Sequence, residues 1–282
     1  MNLDSEPRDG RLTLARPDLA RAELEGLVKA EQFAPATPRQ VRVPVAAVRR
    51  APDAGAEQLD QLLLGEIFDV LELEGGFAWG QARRDGYVGF VDAAALGEVG
   101  PAPTHWVSAL RTYAYAEPAI RAATFGPLSM NALVSIDEES GVFAHAAGVG
   151  WIGRRHLTPV GESLSDFVAV AEQYLGAPYL WGGRDSLGLD CSGLIQQALY
   201  ACGKTCPRDT DQQAKLGAAA PGNALVRGDL VFWKGHVGVM LDGARLLHAN
   251  AHHLGVAIEP LGEAIQRIAA ADVGQPTDFR RL

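Results

Sequence analysis

Gly188-Leu189-Asp190-Cys191-Ser192-Gly193-Leu194-Ile195-Gln196 decides the reading of this chain. A cysteine stands between aspartate and serine, after a glycine-rich segment and just before an apolar run. Residues 192–200 read as a helix closed by Gly203, which puts Cys191 at a helix start. The orphan backbone N–H groups of a helix start favour an anion. Downstream, His236 lies in Gly235-His236-Val237-Gly238-Val239 and His248 in Leu246-Leu247-His248-Ala249-Asn250. Both fall on predicted strands, 236–241 and 245–249, that follow a strand at 229–233, and Asp242-Gly243 turns between them. Paired strands can bring the two imidazoles onto one face. The thiolate is the reactive form of cysteine. A helix start and a neighbouring imidazole both lower a thiol pKa from its free value of about 8.5. One histidine then accepts the thiol proton and the other orients it, while amides near Cys191 hold an oxyanion. The set predicts acyl transfer, with peptide hydrolysis as its first reading.

Outward from this stretch, residues 165–175 read as a helix with a Ser or Asp cap and Gly176 just past its end. A third short helix is expected over 210–216. Helices followed by antiparallel strands describe an α+β domain over 161–282. Before it the pattern is of short strands. Phe77–Ala82 and Tyr87–Val91 flank Arg83-Arg84-Asp85-Gly86, whose Asp-Gly pair signals a hairpin. Gly76-Phe77-Ala78 and Gly89-Phe90-Val91 are echoed by Gly141-Val142-Phe143-Ala144 and Gly150-Trp151-Ile152. Two tandem β-barrels, 41–100 and 101–160, are the expectation. Leu19, Leu24, Leu27 and Val28 predict an amphipathic helix in an N-terminal extension, 1–40, with Pro35 and Pro38 marking a linker.

The chain has 282 residues, 48% of them hydrophobic, and a formal net charge of −9. That is a globular composition. The acidity argues against nucleic acid and against an anionic membrane surface as partners. No run of about 18 apolar residues is present to span a bilayer. Met1–Pro7 lacks a basic and apolar leader pattern, and three cysteines, Cys191, Cys202 and Cys206, fit a reducing compartment; the expected location is the cytoplasm. Cys202 and Cys206 lack a second ligand pair, so they read as structural rather than as a zinc site, and His252 and His253 read as solvated loop residues. No metal or other cofactor is expected. His105, His145 and His156 receive no role.

Residues 165–255 resemble the NlpC-type family of papain-like murein peptidases. The resemblance is carried by Gly176-Ala177-Pro178-Tyr179-Leu180-Trp181-Gly182-Gly183, Asp190-Cys191-Ser192-Gly193-Leu194, Pro207-Arg208-Asp209-Thr210-Asp211-Gln212-Gln213, Gly228-Asp229-Leu230-Val231-Phe232-Trp233, His236-Val237-Gly238-Val239 and His248-Ala249. Gly86-Tyr87-Val88-Gly89-Phe90-Val91 resembles the closing strands of bacterial SH3-like domains. The implied architecture is two small all-β SH3-like barrels before an α+β papain-like catalytic domain. The implied roles are Cys191 as nucleophile, His236 as base and His248 as third member.

Relatives with this order of domains cleave between the γ-carboxyl of D-glutamate and a diamino acid in murein peptides. The resemblance implies that the first barrel narrows the cleft so that a free N-terminal L-alanine is required, which suits recycling of released peptides. Asp190 would face that amine, and Ser192 and Thr210 would hydrogen-bond the substrate, Thr210 standing where the family usually has serine. Tyr87 would close the cleft, with Glu57 and, behind it, Asp60 as the acidic partner from the same barrel. Trp181 would line or support the cleft. Barrel core is the alternative for Tyr87, helix capping for Asp190, and core packing for Trp181. For the whole chain the alternatives are an amidase or acyltransferase on the same fold, or an inactive wall-peptide-binding module. The sequence leaves the oligomeric state open.

Overall fold

The computed structural model describes residues 8–271 and 273–282. The leader reading of Met1–Pro7 lies outside the described residues. The chain forms two compact units, one holding residues up to 107 together with 112–157, the other holding 108–111 and 158–282.

In the β-rich unit a seven-stranded sheet runs, in spatial order, Gln58–Leu63, Val45–Arg49, Val88–Asp92, Phe77–Ala82, Ile67–Glu74, Thr37–Val41 and Leu96–Gly97. The expected hairpin is present: Trp79 pairs with Phe90 and Gly80 with Gly89. Its turn is held by the Asp85 carboxylate, which accepts from the Tyr87 N–H at 3.0 Å. Alternate residues point inward, as a strand dictates, so Val41, Val48, Leu62, Phe68, Ala78 and Val91 make one core. A five-stranded sheet follows, in the order Thr124–Ser129, Arg111–Tyr115, Gly150–Gly153, Phe143–Ala146 and Ile136–Ser140. The two β segments are not packed separately. Leu63 and Leu64 of the first lie in one cluster with Val107, Leu128, Val134 and Ile152 of the second. The Leu133 N–H donates to the Leu64 carbonyl at 2.8 Å. Arg84 joins Glu66 at 2.8 Å and the Asn131 carbonyl at 3.0 Å.

The N-terminal helix is not formed. Leu19–Arg21 is a strand paired in parallel with Gln32–Ala34, and only Ala22–Leu24 makes a single 3-10 turn. Leu14 is buried against Trp79 and Phe90, whereas Leu27 is half exposed. The segment therefore gains its burial by lying along the β-sheet residues, and tertiary packing overrides a short helical pattern. The expected linker is likewise a strand: Pro38 lies in Thr37–Val41, paired with Asp69.

The second unit carries the α+β pattern. Helices α1 (Phe167–Glu172), α2 (Cys191–Ala201), α3 (Thr210–Gln213) and α4 (Leu261–Ala270) accompany a six-stranded sheet, on which α2 and α4 pack. Its order is Ala218–Ala219, Asp278–Arg281, Leu230–Trp233, His236–Met240, Arg245–Asn250 and Gly255–Pro260, antiparallel throughout. Asp166 caps α1, accepting from Val168 and Ala169 at 2.9 and 3.1 Å. Helix α2 buries Leu194, Ile195, Ala198 and Leu199 almost completely. Each of the larger three is worth about 1.5–3 kcal/mol in transfer free energy, which anchors the helix start that carries Cys191. Helix α4 has no counterpart among the expectations. It packs Ala264 and Ile268 against Val231, Trp233, Met240 and Leu246 of the sheet.

Candidate active site

The start of α2 is built by contacts that only this local sequence allows. Asp190 is the N-cap, and its Oδ1 accepts from the Gly193 N–H at 2.8 Å. A Cβ at Gly193 would fall 2.2 Å from the Gly183 carbonyl oxygen. The helix therefore approaches the Trp181-Gly182-Gly183 turn as closely as a bare backbone permits. Gln213 of α3 donates to the Ser192 carbonyl at 3.0 Å and to the Pro207 carbonyl at 2.9 Å, tying α3 to this end of α2. Thr210, half-buried, is the first residue of α3.

Cys191 is buried, with its Sγ 4.0 Å from the Gly235 carbonyl oxygen at the turn into the His236 strand. His236 is partly buried, and its Nε2 lies 2.8 Å from His248 Nδ1. His248 is fully buried, and its Nε2 lies 2.7 Å from Glu259 Oε1. The same oxygen is ion-paired with Arg267 of α4. Gly238 makes room for this row: a Cβ there would sit 3.1 Å from His248 Cβ and 2.8 Å from Leu246 Cδ1. Cys191 thus lies against the residue that precedes His236, and His236 is hydrogen-bonded to His248.

The electrostatics correct one expectation. The Cys191 thiol is pushed up to about 12, by burial first and by the Asp190 carboxylate second. The N–H groups of Val237 and Ser192 act in the opposite sense and do not prevail. The helix start therefore does not yield a resting thiolate, because burial, reinforced by the anionic cap, outweighs its N–H groups. Burial lowers both His236 and His248, and Arg267 adds to this at each. The resting pair is a neutral thiol and a neutral imidazole.

Asp190 is the helix cap, and much more besides. Oδ1 accepts from Ser192 Oγ at 3.0 Å, the Gly193 N–H at 2.8 Å and Arg208 at 3.0 Å. Oδ2 accepts from the Gly182 N–H at 2.9 Å and Arg208 at 2.6 Å. Ser192 Oγ also accepts from Arg208 at 2.7 Å. Arg208 is buried. This arginine, quoted in the sequence only as part of a motif, is the counter-charge of the network.

Trp181 is 60% exposed, so core packing is excluded for it. Tyr179 was given no role from the sequence. Its phenol is pushed up by burial and then by Cys191 and Asp190, which places it in their electrostatic neighbourhood. Tyr87 is buried in the β-rich unit and lines a cavity of about 480 Å³ there with Arg16, Arg49, Arg50, Trp79 and Phe90. Glu57 is paired with Arg50 at 2.7 Å on that unit's surface, and Asp60 is fully buried within it. Among the described residues, His248, His253 and Glu259 bring imidazole and carboxylate atoms within 4.8 Å of one another. Two of the three are hydrogen-bonded together, and His253 Nδ1 lies 2.9 Å from Asn250 Oδ1.

The site joins a buried cysteine at the start of α2 to a hydrogen-bonded histidine pair on the adjoining strands. Residues 176–270 match the NlpC/P60 family and residues 48–96 match the bacterial dipeptidyl-peptidase Sh3 domain, so the chain carries an NlpC/P60 domain preceded by a bacterial SH3 domain. It is 32% identical over 149 residues to the gamma-D-glutamyl-L-lysine dipeptidyl-peptidase of Bacillus subtilis, covering 48% of this chain and 50% of that protein. It is 33% identical over 104 residues to the Bacillus cereus protein of the same name, covering 34% of this chain and 31% of that one. The chain thus spans half or less of the length of these relatives. An NlpC/P60 family protein from Bacillus cereus superposes with a TM-score of 0.75 at 19% identity, covering 87% of this chain and 99% of that one, which speaks to the fold. No helix among the described residues is long and apolar enough to cross a membrane.

Proposed function

We propose that this chain is a cysteine peptidase that hydrolyses the γ-D-glutamyl–diamino acid bond of murein peptides with a free N-terminal L-alanine. The observation that carries the chemistry is Cys191 at the start of α2, against the Gly235 carbonyl, with His236 held by a buried His248. The names of the two Bacillus relatives support the choice of bond.

Because the thiol and both imidazoles rest neutral, proton transfer accompanies attack. His236 takes the thiol proton as Sγ bonds to the γ-carbonyl carbon, and the carbonyl π pair moves onto oxygen. Backbone amides at the start of α2 stabilise that oxyanion. Collapse breaks the C–N bond, and the amine leaves with the proton that His236 returns. Water then attacks the thioester, His236 takes its proton, and the thiol is released with the dipeptide acid. We assign the substrate amine to Asp190. A carboxylate offers about four lone-pair sites, and this one already accepts five donors. The amine must therefore displace one of them, and the Ser192 hydroxyl is the most easily rotated.

The test is mass spectrometry of L-Ala-γ-D-Glu-meso-diaminopimelate and its L-lysine counterpart after incubation with the reduced protein. Release of L-Ala-γ-D-Glu is the expected result. Cleavage of intact murein but not of the free tripeptides would move the reading to wall remodelling, and cleavage of neither would sink it. The N-acetylated tripeptide is expected to resist; equal rates on both forms would remove the amine assignment.

A further inference from the structure

We propose that Glu259, clamped by Arg267, is a positioning residue that fixes the tautomers of His248 and His236 and so leaves His236 Nδ1 as the base. The inference rests on the reading of Cys191 and His236 as a nucleophile–base pair and adds two residues to it.

The argument is one of proton counting along a row of atoms. Glu259 Oε1 is bonded both to Arg267 and, at 2.7 Å, to His248 Nε2. An ion-paired carboxylate has no proton to donate, so the hydrogen lies on His248 Nε2. His248 is fully buried, and burial together with Arg267 holds it neutral. A neutral imidazole carries one N–H, so His248 Nδ1 is an acceptor. His236 Nε2, 2.8 Å away, must then be the donor. That leaves the lone pair of the second ring on Nδ1, the one ring nitrogen of the pair not engaged in the row. The partner of the non-reacting nitrogen sets the tautomer of a histidine, and here the setting is passed through two rings.

Strand register brings the residues together. His248 pairs with Ala257, so Glu259, two residues on, is its diagonal neighbour on the same face. Arg267 lies one helical segment later, on α4. Glu259 is nine-tenths buried, which makes its ion pair with Arg267 a fixed element rather than a mobile surface contact.

Three variants of the full chain test this: Glu259→Ala, Glu259→Gln, and Glu259→Gln combined with Arg267→Met. In the glutamine variant Arg267 keeps the amide oxygen facing His248, so the acceptor survives. In the double variant the amide is free to turn its NH2 inward, which favours the wrong tautomer. We expect Glu259→Ala to lower kcat about 10–100-fold, the usual cost of losing such a supporting partner, with KM little changed. Glu259→Gln should recover most of the loss and the double variant should lose it again.

Alkylation of Cys191 by iodoacetamide, located by peptide mapping, should follow the same order without any substrate. If the peptide assay fails on the wild type, the functional reading falls while the alkylation order still decides the role of Glu259. Equal alkylation rates in wild type, glutamine and double variants would overturn the proposal, and this comparison stands even where Glu259→Ala does not fold. A glutamine variant as impaired as the double one would overturn it too.

Discussion

Two carboxylate–arginine pairs belong to the site, one beside Cys191 and one behind the histidine pair, and they are built to opposite ends. On one side Asp190 accepts from five donors, with Arg208 buried beside it. Every lone pair there is engaged, and the network fixes the start of α2 and the turn at Gly182. On the other side the Glu259–Arg267 pair closes only one end of a row that runs through His248 to His236. That row leaves a basic nitrogen at its open end. A saturated network holds geometry, whereas a row with one open end can pass a change of protonation along. Buried ion pairs are poor sources of net stability, and here the two serve position and proton placement respectively.

The comparison can be broken most drastically at the atom both networks serve. Cys191→Ala should reduce peptide hydrolysis to background while leaving the thermal midpoint near that of wild type, since neither network contains the thiol; residual activity near wild type would remove the nucleophile. Next, Arg208→Met strands a buried carboxylate and should destabilise the fold by about 3–5 kcal/mol, read by urea unfolding. Adding Asp190→Asn should return part of that loss, and failure to do so would show that Arg208 acts by packing alone. His248→Leu should do the reverse: a fall in kcat of about 100-fold with a smaller stability change than Arg208→Met.

The smallest effect is in pH dependence. Burial lowers the two histidines from 6.5 to about 3, so the unfolded chain binds protons there that the native one does not. Stability is therefore full above about pH 6.5 and declines as the pH falls towards 3. The decline should be shallower in His248→Leu when unfolding is followed at several pH values; identical slopes would assign acid sensitivity elsewhere.

Much of this was legible in the sequence because it depends on short spacings. A cysteine at a helix start and two histidines on adjacent strands need only local periodicity to be seen, and α2, Leu230–Trp233 and the two histidine strands lie within a residue or two of expectation, whereas Ala218–Ala219, Gly255–Pro260 and Asp278–Arg281 were not expected. The supporting residues depend on register. Glu259 sits in Val256-Ala257-Ile258-Glu259-Pro260, and nothing in that run shows that it lies diagonal to His248 until the strands are paired. Arg208 was visible only as a motif letter, since its burial against Asp190 is a tertiary fact. Helix α4 does carry a signal in the sequence: Leu261, Ala264, Ile265 and Ile268 recur at helical spacing. The N-terminal segment failed for a different reason. Leu19, Leu24 and Leu27 fit a helix in isolation, but the sheet face at Trp79 and Phe90, which buries Leu14, offers a better place to bury apolar surface.

The core shared by Leu63 and Leu64 with Val107, Leu128 and Ile152 bears on how such chains can be cut and recombined. The matched SH3 segment, 48–96, ends well short of the physical body it belongs to. A graft severed near residue 100 would carry Leu63 and Leu64 away from the rest of their apolar cluster and leave both parts wet, an aggregation hazard in both products. The transferable cassette is the whole stretch up to residue 157, and gene fusions that respect that seam should express where shorter ones precipitate.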